Sequence, residues 1–166
     1  MKKLIILLVM FLPFCLKAQQ AQKIAYVNVG EVMMAMPEAD KAEKDLVAFR
    51  ENLTKELNTM QDEFNKKYQA YVAERDSLTE NIRLKRESDL TDLQQRTQNY
   101  MQQADSEYKA KQEELFKPIQ DKVASAIKAV GDEKGYTFII TPEVLLYVNP
   151  NAENATAAVK AKLGIQ

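Results

Sequence analysis

"KIAYVNVGEVM", residues 23–33, decides the fold. Its β-branched and aromatic start reads as one short strand, residues 24–29, that runs into a stop before Pro37. Beyond Pro37 nothing strand-like occurs for about a hundred residues. A lone strand leaves backbone N–H and C=O groups unpaired, so its partner must lie at the far end of the chain. Two segments there qualify. "YTFII", 136–140, and "VLLYV", 144–148, flank the turn Thr141-Pro142-Glu143 and read as a hairpin. Residues 24–29 are expected to pair with 136–148, which brings both ends of the chain into one small sheet.

What lies between is helical. From Glu38 to Lys117 there are 80 residues without Gly or Pro, rich in Gln, Glu, Lys, Ala, Leu and Asp, a composition that points to coiled coil. Leu46, Leu53 and Met60 fall seven apart, as do Leu57, Phe64, Tyr71 and Leu78, and together they alternate at three and four. Leu90, Thr97 and Ala104 repeat the pattern beside Leu93 and Tyr100, which then shifts to Met101, Tyr108 and Leu115. The seam is diluted, with Lys67 and Arg86 where Leu would be expected. "SLTENIRLKRESD", 77–89, breaks the heptad close to the midpoint between the two strand regions. A turn there gives two antiparallel helices of roughly 40 residues, each about 60 Å long; one continuous parallel rod is the alternative. Pro118 falls inside the return helix, but Ile119, Val123, Ile127 and Val130 continue its spacing, so it kinks the helix without ending it. Gly131 and Gly135 are expected to close that helix. After Asn149-Pro150-Asn151, Asn154 or Thr156 caps a last short helix that ends at Gly164.

The expected fold class is α+β, mainly α: a long antiparallel helical-hairpin arm on a small β-sheet or barrel body. Residues 37–117 form the arm, while 19–36 and 118–166 form the body. Three short strands with apolar faces leave exposed edges, so the sheet should be shared between copies in an obligate homo-oligomer. Ile24, Tyr26, Val27, Val29, Phe138, Ile139, Ile140, Leu145, Leu146 and Tyr147 are assigned to this association body. The Met33-Met34-Ala35-Met36 run reads as packing near the root of the arm.

The start of the chain speaks for export. Lys2 and Lys3 precede an apolar run, Leu4 to Phe14, too short to span a bilayer, and Leu16-Lys17-Ala18 offers a cleavage site. Residues 1–18 therefore read as a signal peptide, with Gln19 as the mature N-terminus. An uncleaved anchor or a lipoprotein acylated at Cys15 fits less well, since Phe14 is bulky where a small residue is wanted. Cleavage removes Cys15, the only cysteine, so an exported chain is left without a disulfide. It also removes three lysines, leaving 20 basic against 24 acidic residues, a net charge near −4. No basic stripe suits nucleic acid.

With no histidine there is no Ser-His-Asp or Cys-His nucleophile system and no His-held zinc or haem. Four glycines cannot build a phosphate loop. The acids are dispersed along a polar helix, and neither an enzyme nor a cofactor is expected.

Taken in order, "KIAYVNVGEVM", "MPEADKAEKDL", "LFKPIQDKVASAIKAVGDEKGYTFIITPEVLLY" and "NATAAVKAKLG" look like the Skp/OmpH family of periplasmic chaperones, over essentially the whole mature chain. The resemblance implies a trimer with a small β-barrel body and three helical-hairpin tentacles. Unfolded outer-membrane proteins would be held between them without ATP. Enterobacterial members are markedly basic; this mature chain is mildly acidic, which puts lipopolysaccharide or membrane-surface contact in doubt.

A holdase must grip unfolded segments loosely and without sequence preference. Met60, Phe64, Tyr68, Tyr71, Tyr100, Met101 and Tyr108 are adaptable or amphipathic side chains and are the candidate client contacts, against the blander reading that they zip the arm together. The competing function is an exported coiled-coil spacer without clients.

Overall fold

A computed structural model of the chain describes residues 22–165; the expected signal peptide, 1–18, lies outside them. Those residues divide into two compact units, 22–32 with 123–165, and 33–122.

In the first unit, β1 (Ile24–Tyr26) is the middle of a three-stranded sheet ordered β2-β1-β3, with β2 at Phe138–Ile140 and β3 at Glu153–Asn154. Both pairings are parallel: Ile24 lies opposite Phe138, Tyr26 opposite Ile140, and Ala25 opposite Glu153. The two ends of the chain therefore do meet in one sheet. A parallel pair needs a long crossover, and here everything from Val27 to Thr137 supplies it. The expected hairpin is not formed. Pro142–Val144 is a 3-10 turn, and no strand follows over 145–148. The third strand comes instead from Glu153–Asn154, reached after the Asn149-Pro150 turn, where Asn149 Oδ1 accepts the Asn151 N–H at 2.8 Å.

The opening strand is also shorter than residues 24–29. Asn28 ends it by capping α1 (Val29–Met34): its side-chain Oδ1 accepts the Glu31 N–H at 2.9 Å and its carbonyl accepts the Val32 N–H at 3.1 Å. Val29 is thus a helical residue, not a strand one. Along β1 burial alternates as a half-covered strand requires. Ala25 and Val27 are buried, whereas Ile24 is exposed. They face a core that includes Val32, Val123, Val130 and Val159. Thr156, also buried, accepts the Asn28 N–H on its hydroxyl at 3.0 Å.

The second unit is a helical hairpin. α2 (Pro37–Glu74) starts with proline, whose missing N–H costs nothing at that position. α3 (Glu80–Lys134) runs without interruption through Pro118. The reversal is a 3-10 turn at Arg75–Ser77 closed by the Leu78 N–H on the Arg75 carbonyl, so it lies at the very start of the expected 77–89 region. Residues 80–89 are helix, stitched by Arg83–Glu80 and Lys85–Asp89 pairs one turn apart; beyond its first residues, the stretch expected to turn is a solvated helical surface. Ion pairs at Lys122–Glu38 and Arg86–Glu74 fix the antiparallel register. Both helices advance the same 36 residues between those pairs, so the register does not slip over about 54 Å.

Only one of the two glycines expected to end α3 does so. Gly135, at φ +64°, takes the left-handed cap position, and the Tyr136 N–H reaches back to the Gly131 carbonyl at 3.0 Å. Gly131 lies inside the helix, where a Cβ would stand 3.4 Å from Ile139 Cδ1; it permits close approach of α3 to β2. The last helix, α4 (Thr156–Leu163), ends at Gly164, also at positive φ. Asn154 Oδ1 accepts the Thr156 N–H at 2.9 Å, so of the two proposed caps Asn154 serves the helix while the Thr156 hydroxyl serves Asn28.

Candidate functional site

The seam between α2 and α3 is as dilute as the sequence suggests. Beyond the Ala39, Ala42 and Leu46 root, no residue of α2 is fully buried, and on α3 between Glu80 and Lys122 only Leu93, Ala104 and Ile119 are. Arg86 takes a half-buried seam position and pairs with Glu74 at 2.8 Å. The register shift on α3 runs from Ala104 to Tyr108 and Lys111, and not through Met101.

That geometry separates the candidate contact residues. Met60, Phe64, Tyr71, Tyr100 and Tyr108 are half-buried at seam positions. Tyr71 crosses to the other helix, its hydroxyl donating to the Glu87 carboxylate; that bond, more than burial, raises its pKa above the usual tyrosine value. Tyr68 and Met101 are exposed. Tyr68 stacks on Phe64, ring centroids 6.1 Å apart and planes within 6°. Exposed Val47, Val72 and Leu84 were not among the candidates. Their signal, apolar residues off the a/d seam, was present in the heptad.

In the first unit Val27 is buried, while Tyr26, Val29, Ile139 and Ile140 are half-buried. Ile24, Phe138, Leu145 and Tyr147 are exposed, and Leu146 is fully so at 107%. Met36 of the Met-rich run is buried, but Met34 is 88% exposed. Near β3, Lys23 Nζ sits 4.6 Å from the Tyr136 ring centroid and 3.6 Å from Glu153. Burial first, then the hydrogen bond to Glu153, pushes the Tyr136 hydroxyl up to about 12.

Among the described residues no group of three or more His, Cys, Asp or Glu side chains is placed to hold a metal ion. No described helix is long and apolar enough to cross a membrane. The family model for outer membrane protein (OmpH-like) matches residues 23–163. The chain belongs to the OmpH-like family. It is 27% identical over 148 residues to the chaperone protein Skp of Photorhabdus luminescens, covering 89% of each chain. It is also 27% identical over 162 residues to Skp of Vibrio cholerae, covering 87% of this chain and 85% of that one. A solved structure from Caulobacter crescentus, described as an OmpH-like outer membrane chaperone, superposes with a TM-score of 0.72 at 14% identity, over 88% of this chain and 86% of its own. OmpH-like relatives are chaperones, not enzymes, and the mainly helical architecture with a small sheet is theirs.

Proposed function

We propose that this chain is an exported, ATP-independent holdase that works in the periplasm as a homo-oligomer, a trimer by resemblance. It keeps unfolded outer-membrane proteins from aggregating between its helical hairpins. The observation that carries the chaperone reading is the OmpH-like match over 23–163, which leaves almost none of the described chain for another role. Its Skp relatives are named as chaperones.

Two physical features support the details. Ile24, Phe138, Leu145, Leu146 and Tyr147 expose apolar side chains on a small three-stranded unit, a liability for a lone subunit where they are contiguous, and a second copy is the natural cover. The hairpin, held by few buried side chains, can yield to irregular clients instead of excluding them. Residues 19–36 and 118–166 then serve as the association body and 37–117 as the arm, after a leader cleaved near Ala18.

The test is direct. Purified mature protein is present while a denatured β-barrel membrane protein is diluted from urea, and light scattering is followed. Suppression of aggregation at stoichiometric amounts is expected without nucleotide. No suppression would leave an exported spacer as the function.

A further inference from the structure

The helical hairpin is fastened near its two ends and weak between them. Among the described residues three polar bonds cross from α2 to α3: Glu38 with Lys122 near the root, and Tyr71 with Glu87 and Glu74 with Arg86 near the turn. Asn52 lies 14 residues on from Glu38 and Tyr108 lies 14 back from Lys122, so in this register 52–65 runs beside 95–108. Among the described residues no hydrogen bond or ion pair joins the helices over that stretch; Arg96 acts on Glu63 only through space. The packing there is thin as well. Leu53, Leu57, Met60 and Phe64 on α2 are half-buried, and between 95 and 108 on α3 Ala104 alone is buried.

The helices themselves are weakest in the same place. The four threonines inside α2 and α3 are Thr54, Thr59, Thr91 and Thr97, and each hydroxyl donates to the carbonyl four residues back at 2.9 Å. That bond mildly destabilises a helix and often bends it. Asn52, Asn58, Asn65 and Asn99, four of the five asparagines in these helices, lie in the same section, and Thr and Asn are both poor helix formers. Ion pairs one turn apart reinforce the rest of the hairpin. Among the described residues they stop on α2 at Asp40–Lys44 and resume at Glu63–Lys67; on α3 they stop at Lys85–Asp89 and resume at Asp105–Lys109. Neutral amide bonds, Gln61 to Asn65 and Gln95 to Asn99, take their place.

We propose that the hairpin is built to open at its middle, over 52–65 and 95–108, while its root and turn ends stay clasped. A short helical section is marginal in water without a packed face, and local opening starts where buried contacts and reinforcing bonds are fewest. Opening held between two clasps cannot lose register, so Leu53, Leu57, Met60 and Phe64 are bared and covered again reversibly. Two other modes cost more. Separation from the turn must first break the Tyr71 and Glu74 bonds and uncover Leu93. Bending at Pro118 must disturb Ala42 and Ile119, both buried and lining the same groove as the proline. The device belongs to the hairpin alone and stands whether or not the holdase reading does.

Amide hydrogen exchange on the full mature protein, with no client present and rates corrected for sequence, tests this. Peptides from 52–65 and 95–108 should exchange at least about tenfold faster than those from 40–48 and 82–93. Thr54→Ala with Thr59→Ala, both at exposed positions, should slow exchange about fivefold in 52–65. The slowing should extend across the seam to 95–108 and leave 40–48 unchanged. Uniform protection along the hairpin, protection that falls steadily from root to turn, or fastest exchange at 114–119 beside Pro118 overturns the proposal. So does an alanine pair that leaves 52–65 unchanged, and slowing confined to 52–65 overturns opening of the seam.

Discussion

Leu93→Ala should loosen the helical hairpin without unfolding the sheet-bearing unit. Leu93 is 1% exposed, the only large side chain fully buried on α3 between Glu80 and Glu114. Truncation removes three carbons, at about 0.8 kcal/mol each, or about 2.4 kcal/mol. Core Leu to Ala changes range over about 2–5 kcal/mol. The lower end applies because water and neighbouring side chains can fill the gap between just two helices. At about 1.4 kcal/mol per tenfold, local opening rises about 50-fold. Amide hydrogen exchange followed by mass spectrometry on peptides spanning residues 86–100 should report that loss of protection. Peptides from β1 and β2 serve as the internal reference. Leu84→Ala, at an exposed position, should cost under about 0.5 kcal/mol. If Leu93→Ala changed protection by less than about threefold, or Leu84→Ala matched it, Leu93 would not be holding the seam.

Leu146→Ser with Tyr147→Ser should dissociate the proposed oligomer, read as mass by light scattering; unchanged mass would place the interface elsewhere. Thr156→Val keeps the shape but deprives the Asn28 N–H of its acceptor; a cost of about 1–3 kcal/mol should appear in thermal denaturation, and Thr156→Ser should recover it. Tyr136 should be among the last tyrosines to ionise. Since its folded pKa is raised from 10.0 to about 12, its contribution to stability is whole below pH 10 and is lost as pH rises towards 12. Tyrosinate absorbance against pH, compared with Tyr136→Phe, measures this; loss of an unshifted transition near 10 would contradict it.

The long-range pairing was legible because a strand cannot go unpartnered and only the 136–148 region had the composition to meet it. The hairpin was legible because 80 residues without Gly or Pro carry a period. Three details were hidden because each is set by a local turn or cap. Asn28 captures the Glu31 N–H, so Val29 opens a helix instead of ending the strand. Pro142 starts a 3-10 turn, and no strand forms from "VLLYV". Thr79-Glu80 begins α3 inside the stretch expected to turn, the Arg83 N–H meeting the Thr79 carbonyl at 2.9 Å. Among the contact candidates, aromatic and Met content drew attention to seam residues. The heptad position sets exposed Tyr68 and Met101 apart from half-buried Met60 and Tyr71.

The parallel register of β1 with β2 governs how the molecule comes into being. The first strand emerges early during synthesis and must wait for Phe138–Ile140, 111 intervening residues later. Closing so long a span carries a loop-closure penalty that grows only logarithmically with length, but contacts of such sequence separation form slowly. Zipping α2 onto α3 first shortens the search by drawing Val32 and Val123 together before either strand is asked to pair. Until then the nascent polypeptide carries an unmatched apolar strand of its own, and is briefly the kind of substrate its finished siblings would shelter.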